Sequence, residues 1–153
     1  MKYSPPGPGG RETFAAVLLV AVLAGAGPAC AASLEITAPW LREPPPGQTG
    51  AAIYMELHNR GSAPLAVVGA RVESAASAAI HGHSHADGMM RMYPVPRLEI
   101  APGARVNLEP GGYHLMVGGM GAAPQPGALL PFCLRLEDGA EQCAEARVRK
   151  IGE

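Results

Sequence analysis

The sequence is short of most features that would mark an enzyme core, a nucleic-acid module or a membrane span. Aromatic residues are few: one Trp, four Tyr and two Phe in 153 positions. Charged residues make up 16% of the chain and nearly cancel, leaving a formal net charge of −1. The absence of a basic cluster argues against nucleic acid as a partner. The absence of like-charge runs argues against an acidic tail or a membrane-surface patch. Helix-type periodicity is scarce, whereas Gly and Pro together account for 36 residues. That is too heavily punctuated for a helical bundle and suits short strands joined by turns. No CxxC pair and no base-and-nucleophile set stands out, so the protein is expected not to be an enzyme.

Long apolar runs are also missing, with one exception near the N-terminus. Lys2 and Arg11 supply a positive start, Phe14 to Ala24 is unbroken apolar sequence, and Ala29-Cys30-Ala31-Ala32 follows. This has the form of a secretory signal peptide over residues 1–32, removed after Ala31 or Ala32. The apolar core is shorter than the ~20 residues a spanning helix needs, so no stable membrane insertion is expected after cleavage. Lipid attachment through Cys30 is an alternative, although Gly27-Pro28-Ala29 matches poorly the aliphatic-plus-small run that precedes a lipidated cysteine. Export to the periplasm removes Lys2, Arg11 and Glu12 and takes the net charge from −1 to −2. It also leaves two of the three cysteines, Cys133 and Cys143, an even number for an oxidising compartment.

Residues 33–153 then form one domain, long enough for a proper core and without an internal repeat. Leu34 to Thr37 alternates as a short strand that Ala38-Pro39-Trp40 ends, and Trp40 is expected at the core or its edge. Gly50 to His58 is the clearest strand, with Ala51, Ile53, Met55 and Leu57 on one face. His58 falls on the more polar face, where a solvated strand-end histidine is expected. Further strands are expected over 65–72, 89–95, 105–108 and 113–117, and 74–80 suits a strand or a turn of helix. The last unit, 130–148, is a hairpin around Asp138-Gly139. A three-residue loop with Gly139 left-handed sets Leu136 opposite Ala140 and Cys133 opposite Cys143. Directly opposed residues in a non-hydrogen-bonded pair can bridge, whereas a two-residue turn would slip the register and separate them. Seven or eight short strands with turns every ~8–12 residues fit an antiparallel β-sandwich or barrel.

What the sequence has in abundance lies in one stretch. Four of its five histidines and five of the six methionines after Met1 fall between His81 and Met120. Imidazole and thioether are neutral donors, and thioether is a soft one that favours Cu(I). In a strand, side chains two apart point the same way. His114 and Met116 therefore share a face, as do Met90 and Met92, and His81, His83 and His85 would align if extended. Met55 and Met120 are expected as core filler.

The spacing of these donors resembles that of the PCu(A)C periplasmic copper chaperones, whose motif is His, ten residues, Met, twenty-one residues, His-x-Met. Here His81 and Met92 are separated by ten residues, Met92 and His114 by twenty-one, and Met116 follows two beyond His114. The flanks Asp87 to Met92 and Leu108 to Met116, with Ala38-Pro39-Trp40 and Gly50 to Asn59, resemble the family too. The resemblance implies a cupredoxin-like β-sandwich with Cu(I) at an exposed site, held by His81, Met92, His114 and Met116. It further implies delivery to copper-accepting periplasmic proteins of cytochrome c oxidase assembly, by a carrier expected to be a monomer. Histidines at 83 and 85 are additional to the family pattern. With Met90 they stand as secondary donors, and His81-x-His83-x-His85 is a candidate for a second, weaker Cu(II) mode in one loop.

Two other classes are weighed against a copper carrier. A periplasmic copper buffer or resistance protein would use the same donors without an oxidase link. An extracytoplasmic scaffold would carry its His and Met incidentally, and a metal titration separates it from both.

Overall fold

The computed structural model describes residues 1–2, 33–86 and 88–150, so the leader, from residue 3 onward, lies outside the described residues. Its ten strands are β1 (Leu34–Arg42), β2 (Ala51–Asn59), β3 (Leu65–Arg71), β4 (Ser77–Ala86), β5 (Met89–Pro94), β6 (Leu98–Ile100), β7 (Arg105–Leu108), β8 (His114–Gly118), β9 (Leu129–Leu136) and β10 (Glu141–Arg149). They hydrogen-bond in the order β5-β4-β8-β2-β1-β10-β9-β3-β6, and β7 pairs with β2 beside β8. No described helix is long and apolar enough to cross a membrane.

The sandwich follows from alternation. On β2 the inward set Ala51, Ile53, Met55 and Leu57 is buried throughout, as the period-2 pattern requires. β8 adds Leu115 and Val117 to the same core, and β9 adds Phe132 and Leu134. Met55 and Met120 are packed in that core, as expected of filler methionines. The ordering of β8 between β2 and β4 then decides what the outer face carries, because His114 and Met116 alternate with the buried Leu115 and Val117.

The structure departs from the sequence expectations at four places. β1 does not end at Ala38: it runs to Arg42 through a bulge between Thr37 and Trp40, where Ala38 takes a left-handed φ of 47°. Pro39 cannot donate to a ladder, and the bulge accommodates it without ending the strand. Beyond the bulge, Trp40 stands at the edge of the core against Tyr54, with Arg149 over its ring. The sheet contains one parallel pair, β1 with β10, among otherwise antiparallel neighbours. β6, three residues long, is fixed by pairing with β3 and had no pattern of its own to mark it. His58 is buried rather than solvated, because its strand lies between Glu35 on β1 and Arg105 on β7. Its Nδ1 is 3.3 Å from Glu35 Oε2, which also accepts from Arg60.

The C-terminal hairpin has the expected register. Leu136 N donates to Ala140 O, Gly139 N donates to Leu136 O, and Gly139 has φ 87°. Leu136 and Ala140 thus form a hydrogen-bonded pair, and the alternation makes Cys133 and Cys143 a non-hydrogen-bonded one. The two are joined by a disulfide. Closing so short a loop is worth about 2–3 kcal/mol by chain-entropy reasoning. Chemical denaturation of the Cys133→Ser/Cys143→Ser variant should show a loss of that size.

Candidate metal site

The pairing of β4 with both β8 and β5 builds the site. Ser77–Ala86 is rich in Ala, Ser, Gly and His, with little strand propensity of its own. It is held extended because it pairs on both edges: Ile80 with Leu115 and His81 with His114 on one side, His83 with Met92 and His85 with Met90 on the other. Directly opposed residues in antiparallel strands project to the same face. His81, His83 and His85 on β4, His114 and Met116 on β8, and Met90 and Met92 on β5 therefore share one face.

Their burial is graded. His114 is 2% exposed, His81 and His83 are half-buried, and Met90 and Met92 on the edge strand β5 are about half-exposed. The rings stack on one another: His83 and His114 have centroids 4.9 Å apart, His81 and His114 6.0 Å. Met116 lies opposite Ala52 and Ala79, whose small side chains leave it room. Its methyl reaches the space at Gly50, 3.3 Å from where a Cβ would stand. On the reverse face Gly82 makes way for Tyr93 and Tyr113, whose rings occupy the volume a side chain there would need. His85 faces Met90 two residues farther out, and His58 pairs instead with Glu35 and Arg105.

The turn before β8 sets the ring nitrogens. Pro110-Gly111 occupies the centre of a tight turn in which Gly112 N donates to Glu109 O, with Gly111 at φ 85°. A left-handed residue after Pro is the form of a type II turn, which asks for glycine there. The turn points Gly112 O at two imidazoles: His114 Nδ1 is 3.3 Å and His83 Nδ1 3.2 Å away. His81 Nδ1 likewise meets Ala79 O at 3.2 Å. A carbonyl can only accept, so each Nδ1 carries its proton and each Nε2 keeps a lone pair. No buried side-chain nitrogen among the described residues lacks a partner. His114 Nε2 makes no hydrogen bond among the described residues and so keeps its lone pair free.

Burial holds the His114 imidazole below the ordinary histidine value of 6.5. The neighbouring His83 and His81 push the same way, and only the Gly112 carbonyl opposes them.

A family model described as "Putative lipoprotein LpqE-like" matches residues 34–148. The chain belongs to the LpqE-like family. A relative from Leifsonia xyli subsp. xyli, "Putative lipoprotein Lxx21020", is 29% identical over 108 residues, covering 70% of this chain. That match is 64% of the relative, so the chain spans less than two thirds of that curated protein's length. The solution structure of CuI-DR1885 from Deinococcus radiodurans is 31% identical, with 82% of this chain and 85% of that one covered and a TM-score of 0.62. The apo PCuAC domain from PmoF1 is 28% identical, with 78% and 95% covered and a TM-score of 0.63. These likenesses bear out the PCu(A)C assignment drawn from the motif, and with it the β-sandwich.

The depressed His114 value has a consequence for the stability of this LpqE-like protein. The unfolded chain takes up a proton on this residue near ~6.5 while the folded chain resists it. Stability should be full above that pH and fall as pH drops from there toward the lower folded value. His114→Asn keeps a donor for Gly112 O and removes the titration. Urea unfolding at about pH 7.5 and 5.5 should then show a smaller loss in the variant than in the wild type.

Proposed function

We propose that this protein is an exported copper carrier that binds Cu(I) through His81, Met92, His114 and Met116. The observation that carries this reading is the cross-strand register, which brings two imidazoles and two thioethers from three strands to one face. Four neutral donors leave a Cu(I) site with a single positive charge and no anionic ligand to hold Cu(II). Cys133 and Cys143 are unavailable as thiolates, being joined in a disulfide on the terminal hairpin. The 31% identity to a protein whose solution structure contains Cu(I) supports the same cargo.

The graded exposure suits transfer. Met92, on the exposed edge strand, is the donor that an incoming partner reaches first, while His114 is the most deeply held. Ligands can thus be exchanged one at a time. The cargo's destination in this reading is the copper centre of cytochrome c oxidase, by way of copper-accepting proteins in the periplasm. A periplasmic buffer would share the site and differ only in having no such acceptor. Both readings need an exported chain, by cleavage of residues 1–32 or by lipid attachment at Cys30. The family's description as lipoprotein-like favours testing the second route, and intact-mass analysis of the exported protein distinguishes the two.

His114 and Met116 are set by one strand and should anchor the metal, whereas His81 has His83 beside it. In Cu(I) competition titrations, Met116→Ala and His114→Ala should weaken binding more than His81→Ala. The losses should exceed tenfold, since even outer-shell partners of metal sites are worth about 10–100-fold. A wild-type protein with no tight Cu(I) site would leave only a scaffold. Deleting the gene should lower oxidase activity at limiting copper; unchanged activity would favour the buffer.

A further inference from the structure

We propose that His83 is a third imidazole of the same site, and that His81, His83 and His114 together take Cu(II). This rests on the carrier reading for the identity of the cargo, and on the structure for everything else. The set differs from the loop of His81, His83 and His85 suggested by sequence spacing alone. Residues 81–86 are strand, not loop, and His85 faces Met90 on β5, two residues beyond His83.

Three observations place His83 in the set. First, its ring is nearer to His114 than that of His81, at 4.9 Å against 6.0 Å between centroids. Second, it shares an acceptor with His114: both Nδ1 atoms meet the Gly112 carbonyl, at 3.2 and 3.3 Å. One oxygen thus fixes the same tautomer in two stacked rings and leaves both Nε2 lone pairs free. Backbone carbonyls on the far nitrogen orient metal-bound imidazoles in this way. Third, His83 is directly opposite Met92, so it lies between a thioether donor and His114 rather than outside them.

The donor types then divide by oxidation state. Cu(II) takes nitrogen and oxygen ligands in tetragonal arrangements, while thioether selects Cu(I). Three imidazoles across β4 and β8, with Met92 and Met116 flanking them, offer a nitrogen set to one state and a mixed set to the other. His81 and His114 are common to both, so the two states compete for one place. Binding of Cu(II) here involves no electron transfer.

A structural role for His83 would be to brace the Gly112 turn through its Nδ1. His83→Asn separates the roles, because the Asn amide retains a donor near the Nδ1 position and lacks Nε2. The test uses the mature protein with one equivalent of Cu(II), read by electron paramagnetic resonance and by competition affinity, with Cu(I) affinity measured in parallel. Wild type should bind Cu(II) with three nitrogens coupled to it. His83→Asn should lose one nitrogen and more than about tenfold in Cu(II) affinity, keep wild-type Cu(I) affinity, and behave unlike a His85→Asn control that changes neither. Unaltered Cu(II) binding in His83→Asn, equal loss of both ions, or no Cu(II) binding by the wild type would overturn the proposal. Failure of the wild type to bind Cu(I) would instead overturn the carrier reading, and the Cu(II) titrations would still decide the role of His83.

Discussion

The pairing of β4 with β8 at His81 and His114 is the constraint on which the rest of the site depends. It fixes which residues of two strands share a face, and a slip of one residue would turn every donor on β4 toward the core. The register is held from the inner side by Ile80 and Leu115, both buried and directly opposed. The hydrophobic core therefore specifies which side chains share the outer face.

The second constraint is the backbone around Gly112. Proline and glycine at 110–112 give a turn that aims one carbonyl at two imidazoles, so the protonated nitrogen of each faces the protein. Burial of His114 keeps that ring neutral to lower pH than an exposed histidine, which preserves a donor that protonation would remove. Burial is thus concentrated at His114, while Met92 on the edge strand is half-exposed. The carrier role proposed above would use both ends of that gradient: a donor that holds and a donor that can be displaced.

Much of this was legible in the sequence because strand geometry is local. The two-residue spacing of His114 and Met116, and of Met90 and Met92, is enough to place each pair on one face. The hairpin around Asp138-Gly139 was also legible, and the three-residue loop found there, rather than the two-residue turn the same residues allow, opposes Cys133 to Cys143. What could not be read depended on which strands become neighbours. Nothing near His58 announces that β1 and β7 will flank it, and nothing in Leu98–Ile100 marks a strand until β3 pairs with it. The strand from Ser77 to Ala86 was ambiguous for the same reason, since its residues have weak propensity and its conformation comes from two partners. The closeness of His83 to His114 follows from that pairing and from a turn twenty-nine residues away in sequence.

X-ray absorption at the copper edge of the protein loaded with one equivalent of Cu(I) tests the central claim most directly. If the register assembles His81, Met92, His114 and Met116 around one ion, the first shell will contain both nitrogen and thioether sulfur, and Met116→Ala will lower the sulfur contribution. A shell of nitrogen alone, or of sulfur alone, would contradict the account.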